Sequence, residues 1–183
     1  NVLLKANARD ARGFIAKVSD FGVTRAVADG TTQATITTSD WGTVIYTAPE
    51  VFNGSSGLPS DVFSFGALTW HLTTGQLPHE DLNPFAVMLA VSRGELALEW
   101  PSSVPRPLRK LGRLCMQHDA AARPSFPVIV RALLKLEASM RSCKPPASPA
   151  AAAAPGSLPG TPQGVRAAAV AAAAAVAAQQ QRP

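Results

Sequence analysis

The chain has 183 residues and a formal net charge of +5, enough for one domain of ordinary size. Residues 144–183 hold sixteen Ala and seven Pro with no acidic or aromatic residue, a composition that builds no core and reads as a disordered Ala/Pro-rich tail. Residues 1–143 carry the other fourteen Lys and Arg and all twelve Asp and Glu. With no basic stripe interleaved with aromatics, nucleic acid is excluded as a partner. Cys115 and Cys143 make neither a disulfide framework nor a metal site, which fits a reducing, cytoplasmic setting. The longest apolar run, Ala167 to Ala178, is twelve residues and too short to span a membrane.

Val2 to Leu4 and Phe14 to Val18 are short apolar runs separated by a polar stretch, the pattern of two strands joined by a loop. From Asp20 to Glu50 no period persists, and seven Ser and Thr crowd between Thr31 and Thr43. A long irregular segment inside a compact domain is usually functional. After Pro59, Ser60 reads as an N-cap and Asp61 suits the positive end of a helix. Val62, Phe65, Leu68, Thr69 and Leu72 follow at helical spacing as far as Gly75. Phe63 and Trp70 widen its apolar surface, predicting a helix buried nearly all round. Three further helices are predicted over 84–93, 107–117 and 125–140.

Asp20-Phe21-Gly22 directly follows the second strand, and Ala48-Pro49-Glu50 comes twenty-eight positions later. Asn1-Val2-Leu3-Leu4 stands ahead of them and Ser60-Asp61-Val62-Phe63-Ser64-Phe65-Gly66 behind, an order and spacing that chance does not readily assemble. Over about residues 1 to 137 the chain resembles the C-terminal lobe of a protein kinase. Gly42 to Glu50 resembles the substrate-docking loop of serine/threonine kinases, G-T-x-x-Y-x-A-P-E. Gly75 to Pro84, Leu114-Cys115-Met116 and Arg123-Pro124-Ser125-Phe126 are similar to the tyrosine-kinase-like group, in its Raf-like and mixed-lineage-like members.

The resemblance implies an α+β fold: a mostly helical large lobe over 1–143 with a short N-terminal β-hairpin, an activation segment over 20–50, and no small lobe. It implies serine/threonine protein kinase activity with ATP and Mg²⁺ as cofactors, a protein substrate and an upstream kinase as partners. Asp20 and Asn1 would be catalytic and metal-holding, with Leu3 in the floor under the adenine ring and Thr43 aiding recognition of the acceptor hydroxyl. Thr38 and Ser39 are the candidate activating phosphosites, since phosphorylation would add about −2 charge there. Phe21 and Gly22 complete the Asp20 motif, with Phe21 expected between the two lobes. Glu50 and Arg123 would form an ion pair behind the docking loop. Asp61 would accept hydrogen bonds from the catalytic-loop backbone, and Leu68 and Leu72 would support the adenine floor.

The family's catalytic loop, H-R-D-L-K-x-x-N, ends at the position of Asn1, so its Asp and Lys lie outside this sequence. The chain, which opens on Asn1 and not Met, is therefore read as a fragment that is inactive alone. Phe63 and Met116 stand where the family carries Trp, and Asp119-Ala120 where it has Asp-Pro; none is a metal ligand. A pseudokinase or scaffold, using the same lobe for protein binding, is the alternative.

Overall fold

The computed structural model describes residues 1–10, 13–21, 31–33 and 44–142. At its start, β1 (Val2–Ala6) and β2 (Phe14–Val18) pair antiparallel, with Val2 opposite Val18 and Ala6 opposite Phe14. The Asn7 N–H donates to the Gly13 carbonyl at 2.9 Å and the Gly13 N–H to the Asp10 carbonyl at 2.8 Å, closing the reversal. Gly13 has φ 79°, a backbone conformation that a residue without Cβ enters freely.

A second antiparallel pair joins β3 (Thr31–Gln33) to β4 (Ser55–Gly57), with Thr31 opposite Gly57. This corrects the reading of 20–50 as wholly irregular: three residues are too few to leave an alternating pattern in the sequence. Between them, Pro49 opens the single-turn helix α1 (Pro49–Phe52).

The central helix, α2 (Leu58–Thr74), starts two residues before the predicted Ser60 cap. Gly57 takes the cap position and Pro59 pre-sets the first turn. Ser60 stands at the third helical position, where its Oγ accepts the Gly57 N–H at 3.1 Å. Gly75, at φ 76°, ends the helix and donates its N–H to the His71 carbonyl at 2.8 Å. Val62, Phe63, Phe65, Ala67 and Trp70 are all buried, so the helix is enclosed over most of its circumference.

Three more helices follow: α3 (Pro84–Ser92), α4 (Arg106–Cys115) and α5 (Phe126–Ser142), each within two residues of its predicted bounds. The Asn83 side chain accepts the Ala86 N–H at 2.9 Å and caps α3. Asp119 does the same for a short 3₁₀ turn, Ala120–Ala122, ahead of α5.

Two apolar clusters hold these elements together. The larger joins α2, α4 and α5 through Phe65, Trp70, Leu111, Cys115, Ile129 and Leu133, with Trp100 and Val104 from the connecting segment. Phe65 meets Phe126 edge to face, with centroids 5.9 Å apart. Gly112 lets α4 lie directly on the Trp100 indole, which any Cβ at that position would overlap. The smaller cluster gathers Val44, Ala48, Phe63, Val87 and Val91, and so fixes the segment ahead of α1 against α2 and α3. Among the described residues, no helix is long and apolar enough to cross a membrane.

Candidate active site

The hairpin ladder continues past its last paired residues, because the Ser19 N–H donates to the Asn1 carbonyl at 2.9 Å. That bond puts Asn1 beside the residue preceding Asp20, so the two residues share one end of the hairpin. Asp20 has φ 64°, a left-handed backbone that a non-glycine residue enters only at a cost, and such conformations concentrate at functional sites. Along the strand from this end, Leu3 lies opposite Lys17 and is 62% exposed. Phe21, next to Asp20, is 59% exposed. Neither side chain belongs to the buried core, which corrects the reading of β1 as a core strand: Ala16 is the hairpin's buried apolar residue among those described.

At the other end of the segment, Ala48, Pro49 and Glu50 lead into α1, and the Glu50 carboxylate meets Arg123. The guanidinium grips both oxygens, Nη1 to Oε1 at 2.7 Å and Nη2 to Oε2 at 2.8 Å. Its other N–H groups donate to the carbonyls of Gln117 at 2.7 Å, Pro59 at 2.9 Å and His118 at 3.1 Å, so all five donors are used. Arg123 Cζ sits 5.1 Å from the Phe63 ring centroid, a cation–π contact that the Phe in place of the family's Trp still provides. Burial alone would raise the Glu50 carboxyl, but hydrogen bonds from Arg123 and Ser60 outweigh it and hold the group below its ordinary value.

Asp61 stands in the first turn of α2 with its side chain open to solvent. The protein around it nevertheless raises its carboxyl above the usual range by desolvation. Leu68 and Leu72 are half-buried on the same helix. Gly22, Thr38, Ser39 and Thr43 lie outside the described residues.

Three α2 side chains that sequence reasoning did not connect to the site hold the docking segment. The Ser60 hydroxyl donates to Glu50 Oε1 at 2.7 Å and the Ser64 hydroxyl to the Tyr46 carbonyl at 2.8 Å. The Tyr46 hydroxyl lies 2.6 Å from His71 Nδ1, with the two rings stacked at an interplanar angle of 16°. The trace of this set in the sequence is periodic. At about 100° per residue, positions 60, 64 and 71 fall within about 40° of one another, a polar line on an otherwise apolar helix.

Residues 1–133 match the family model for protein tyrosine and serine/threonine kinases. The chain is 34% identical over 139 residues to mitogen-activated protein kinase kinase kinase 10 of Xenopus laevis, covering 75% of this chain and 13% of that protein. It is 38% identical over 125 residues to human mitogen-activated protein kinase kinase kinase 11, covering 68% and 14%. To mitogen-activated protein kinase kinase kinase 12 of Rattus norvegicus it is 35% identical over 113 residues, covering 61% and 12%. The chain thus spans between 12% and 14% of the length of these curated relatives. The hairpin end, the clasped docking segment and the helical body belong together as parts of one domain, and the chain is a member of the protein tyrosine and serine/threonine kinase family, in its tyrosine-kinase-like group.

Proposed function

We propose that the protein carrying this chain is a serine/threonine protein kinase that moves the γ-phosphoryl group of ATP to protein hydroxyls. The observation that carries the reading is the register of the hairpin, which brings Asn1 to the residue before Asp20 and leaves the apolar residues of β1 exposed beside them.

The donor chemistry fits a hard cation. Among the described residues, no group of three His, Cys, Asp or Glu side chains could hold a metal ion. A carboxylate from Asp20 and an amide oxygen from Asn1 suit Mg²⁺, which takes few protein ligands and completes its shell with water and phosphate. When bound, Mg²⁺ neutralises charge on the transferring phosphates. The chain's own contribution is placement. Asp20 and Asn1 hold the phosphate end of the nucleotide, and Leu3, exposed on β1, offers an apolar surface to the base. Asp61 anchors the catalytic-loop backbone of the whole protein, which would relieve the unfavourable setting of its carboxylate. Thr43 assists in selecting Ser or Thr acceptors, and phosphate on Ser39 or Thr38, added by an upstream kinase, orders the activation segment.

The relatives' names designate them kinases of mitogen-activated protein kinase kinases. A protein of that class is the substrate we propose for this kinase, acting in the cytoplasm.

The test is phosphoryl transfer by the full-length protein, with phosphoamino-acid analysis of the product. We expect phosphoserine and phosphothreonine, and more than about a thousandfold loss in Asp20→Ala, in line with removing preorganised charge from a phosphoryl-transfer site. An unchanged melting temperature in that variant separates lost chemistry from lost folding. Turnover retained by Asp20→Ala would remove the metal role, and phosphotyrosine as the main product would overturn the hydroxyl preference.

A further inference from the structure

We propose that His71 is a positioning residue for substrate docking: it holds Tyr46, and through Tyr46 the loop from Val44 to Thr47, in the conformation that receives the substrate chain. The inference rests on the kinase reading and assigns the loop's geometry to particular side chains of α2.

Tyr46 is gripped at both ends by one helix. Its carbonyl accepts from the Ser64 hydroxyl at 2.8 Å, and its own hydroxyl lies 2.6 Å from His71 Nδ1. Two attachments, one to the main chain and one to the tip of the side chain, fix both the place of the loop and the direction of the ring. The stack, with centroids 6.1 Å apart and planes 16° from parallel, removes rotation about the hydrogen bond. Burial raises the Tyr46 hydroxyl above its ordinary value and so keeps its proton on. The arrangement therefore makes Tyr46 the donor and leaves Nδ1 of His71 as the bare acceptor, its ring proton on Nε2.

The loop's other anchors do not do this work. Val44 and Ala48 are buried in the smaller apolar cluster, and the Thr47 N–H donates to the Val44 carbonyl at 3.1 Å, closing a turn. Those contacts hold the ends of the loop to the body but are non-directional or internal to it. Glu50 and Ser60 lock the segment beyond the loop. Only Ser64 and His71 reach Tyr46 itself among the described residues. A helix packed mainly by apolar side chains gains nothing from a half-buried imidazole unless that ring has a partner.

The experiment uses the full-length protein, a peptide library with one central Ser or Thr as acceptor, and the variants His71→Phe, Tyr46→Phe, the double variant and His71→Gln. One hydrogen bond converts to about a threefold to tenfold change. We expect His71→Phe to raise KM for peptide by that factor while kcat and KM for ATP stay within about twofold. Tyr46→Phe should match it, the double variant should be no worse than either, and His71→Gln, which restores an acceptor, should recover most of the loss. Hydrogen exchange over 44–48 gives a reading independent of turnover: His71→Phe should speed exchange there and leave α5 unchanged. Equal KM in His71→Phe and wild type, additive losses in the double variant, or unchanged exchange over 44–48 would each overturn the proposal. If the wild-type protein transferred no phosphate, the kinase reading would fall, and the exchange measurement would still decide whether His71 positions the loop.

Discussion

The N-terminal hairpin and the helical body use the same residue types in opposite ways. In the body, Ile129 and Leu133 are 0% and 1% exposed, while in β1 Leu3 and Leu4 are each 62% exposed. Side chains of nearly equal hydrophobicity thus fill a core in one region and stand on the surface of the other. Scattered exposed leucines need no explanation, but Val2, Leu3, Leu4 and Phe21 are grouped around Asn1 and Asp20. The body is held by packing, and the hairpin is shaped for something that binds beside it. Substitutions should therefore act on stability in one region and on ligand in the other.

The largest effect on stability should come from Ile129→Ala. The side chain is fully buried between α2, α4 and α5, so its loss combines the transfer term with a cavity, about 3 kcal/mol. The melting temperature of the folded protein should fall by about 10 °C. A fall of only one or two degrees would mean that the core relaxes around the gap, and the contrast with the hairpin would weaken.

Arg123→Ala comes next, at about 3 kcal/mol or somewhat less. The arginine side chain is 0% exposed, whereas Glu50 keeps 23% exposure, so solvent screens part of what the broken pair would cost. The effect should be seen in melting and in faster hydrogen exchange over α1, since the docking segment loses its tie to the 3₁₀ turn and α5. Glu50→Gln gives the matching acid test. The Glu50 carboxyl titrates below its ordinary value in the folded protein, so its contribution is present above about pH 4 and is lost as pH falls through the folded pKa. Glu50→Gln should be less stable than wild type at neutral pH by about 1 kcal/mol. The two stability curves should converge below about pH 4. Parallel curves through that range would assign the acid sensitivity to other carboxylates.

What was legible in the sequence follows from how much each signal repeats. The helices over 84–92, 106–115 and 126–142 carry several turns of apolar periodicity, and their bounds lie within two residues of those read from the pattern. The start of α2 shifted because a serine followed by an aspartate looks like a cap, while the Leu58-Pro59 pair could already begin the helix and Ser60 could serve from inside it. β3 and β4 have three residues each and carry no period. In the site, the order of Asn1, Asp20, Glu50 and Arg123 along the chain is a sequence fact, but the bond from Ser19 to Asn1 and the five-donor saturation of Arg123 depend on how distant segments fold together. His71 escaped notice because one histidine in a helix carries no pattern by itself. Only Ser60, Ser64 and His71 taken together form one.

The smallest expected change in stability is also the sharpest test of the contrast. Leu3→Ala removes a side chain from a surface, so it forms no cavity and loses little buried area. Its stability should stay within about 0.5 kcal/mol of wild type. If β1 supplies the surface that meets the nucleotide base, the same substitution should raise KM for ATP by about threefold to tenfold, because one to two methylenes of contact are worth roughly 1 kcal/mol each. KM for the peptide substrate should not move, since that surface is at the docking loop. Should Leu3→Ala instead melt several degrees lower with ATP affinity intact, β1 would be a packing element whose partner lies elsewhere in the protein, and the division between a body that packs and a hairpin that binds would fail at its most exposed leucine.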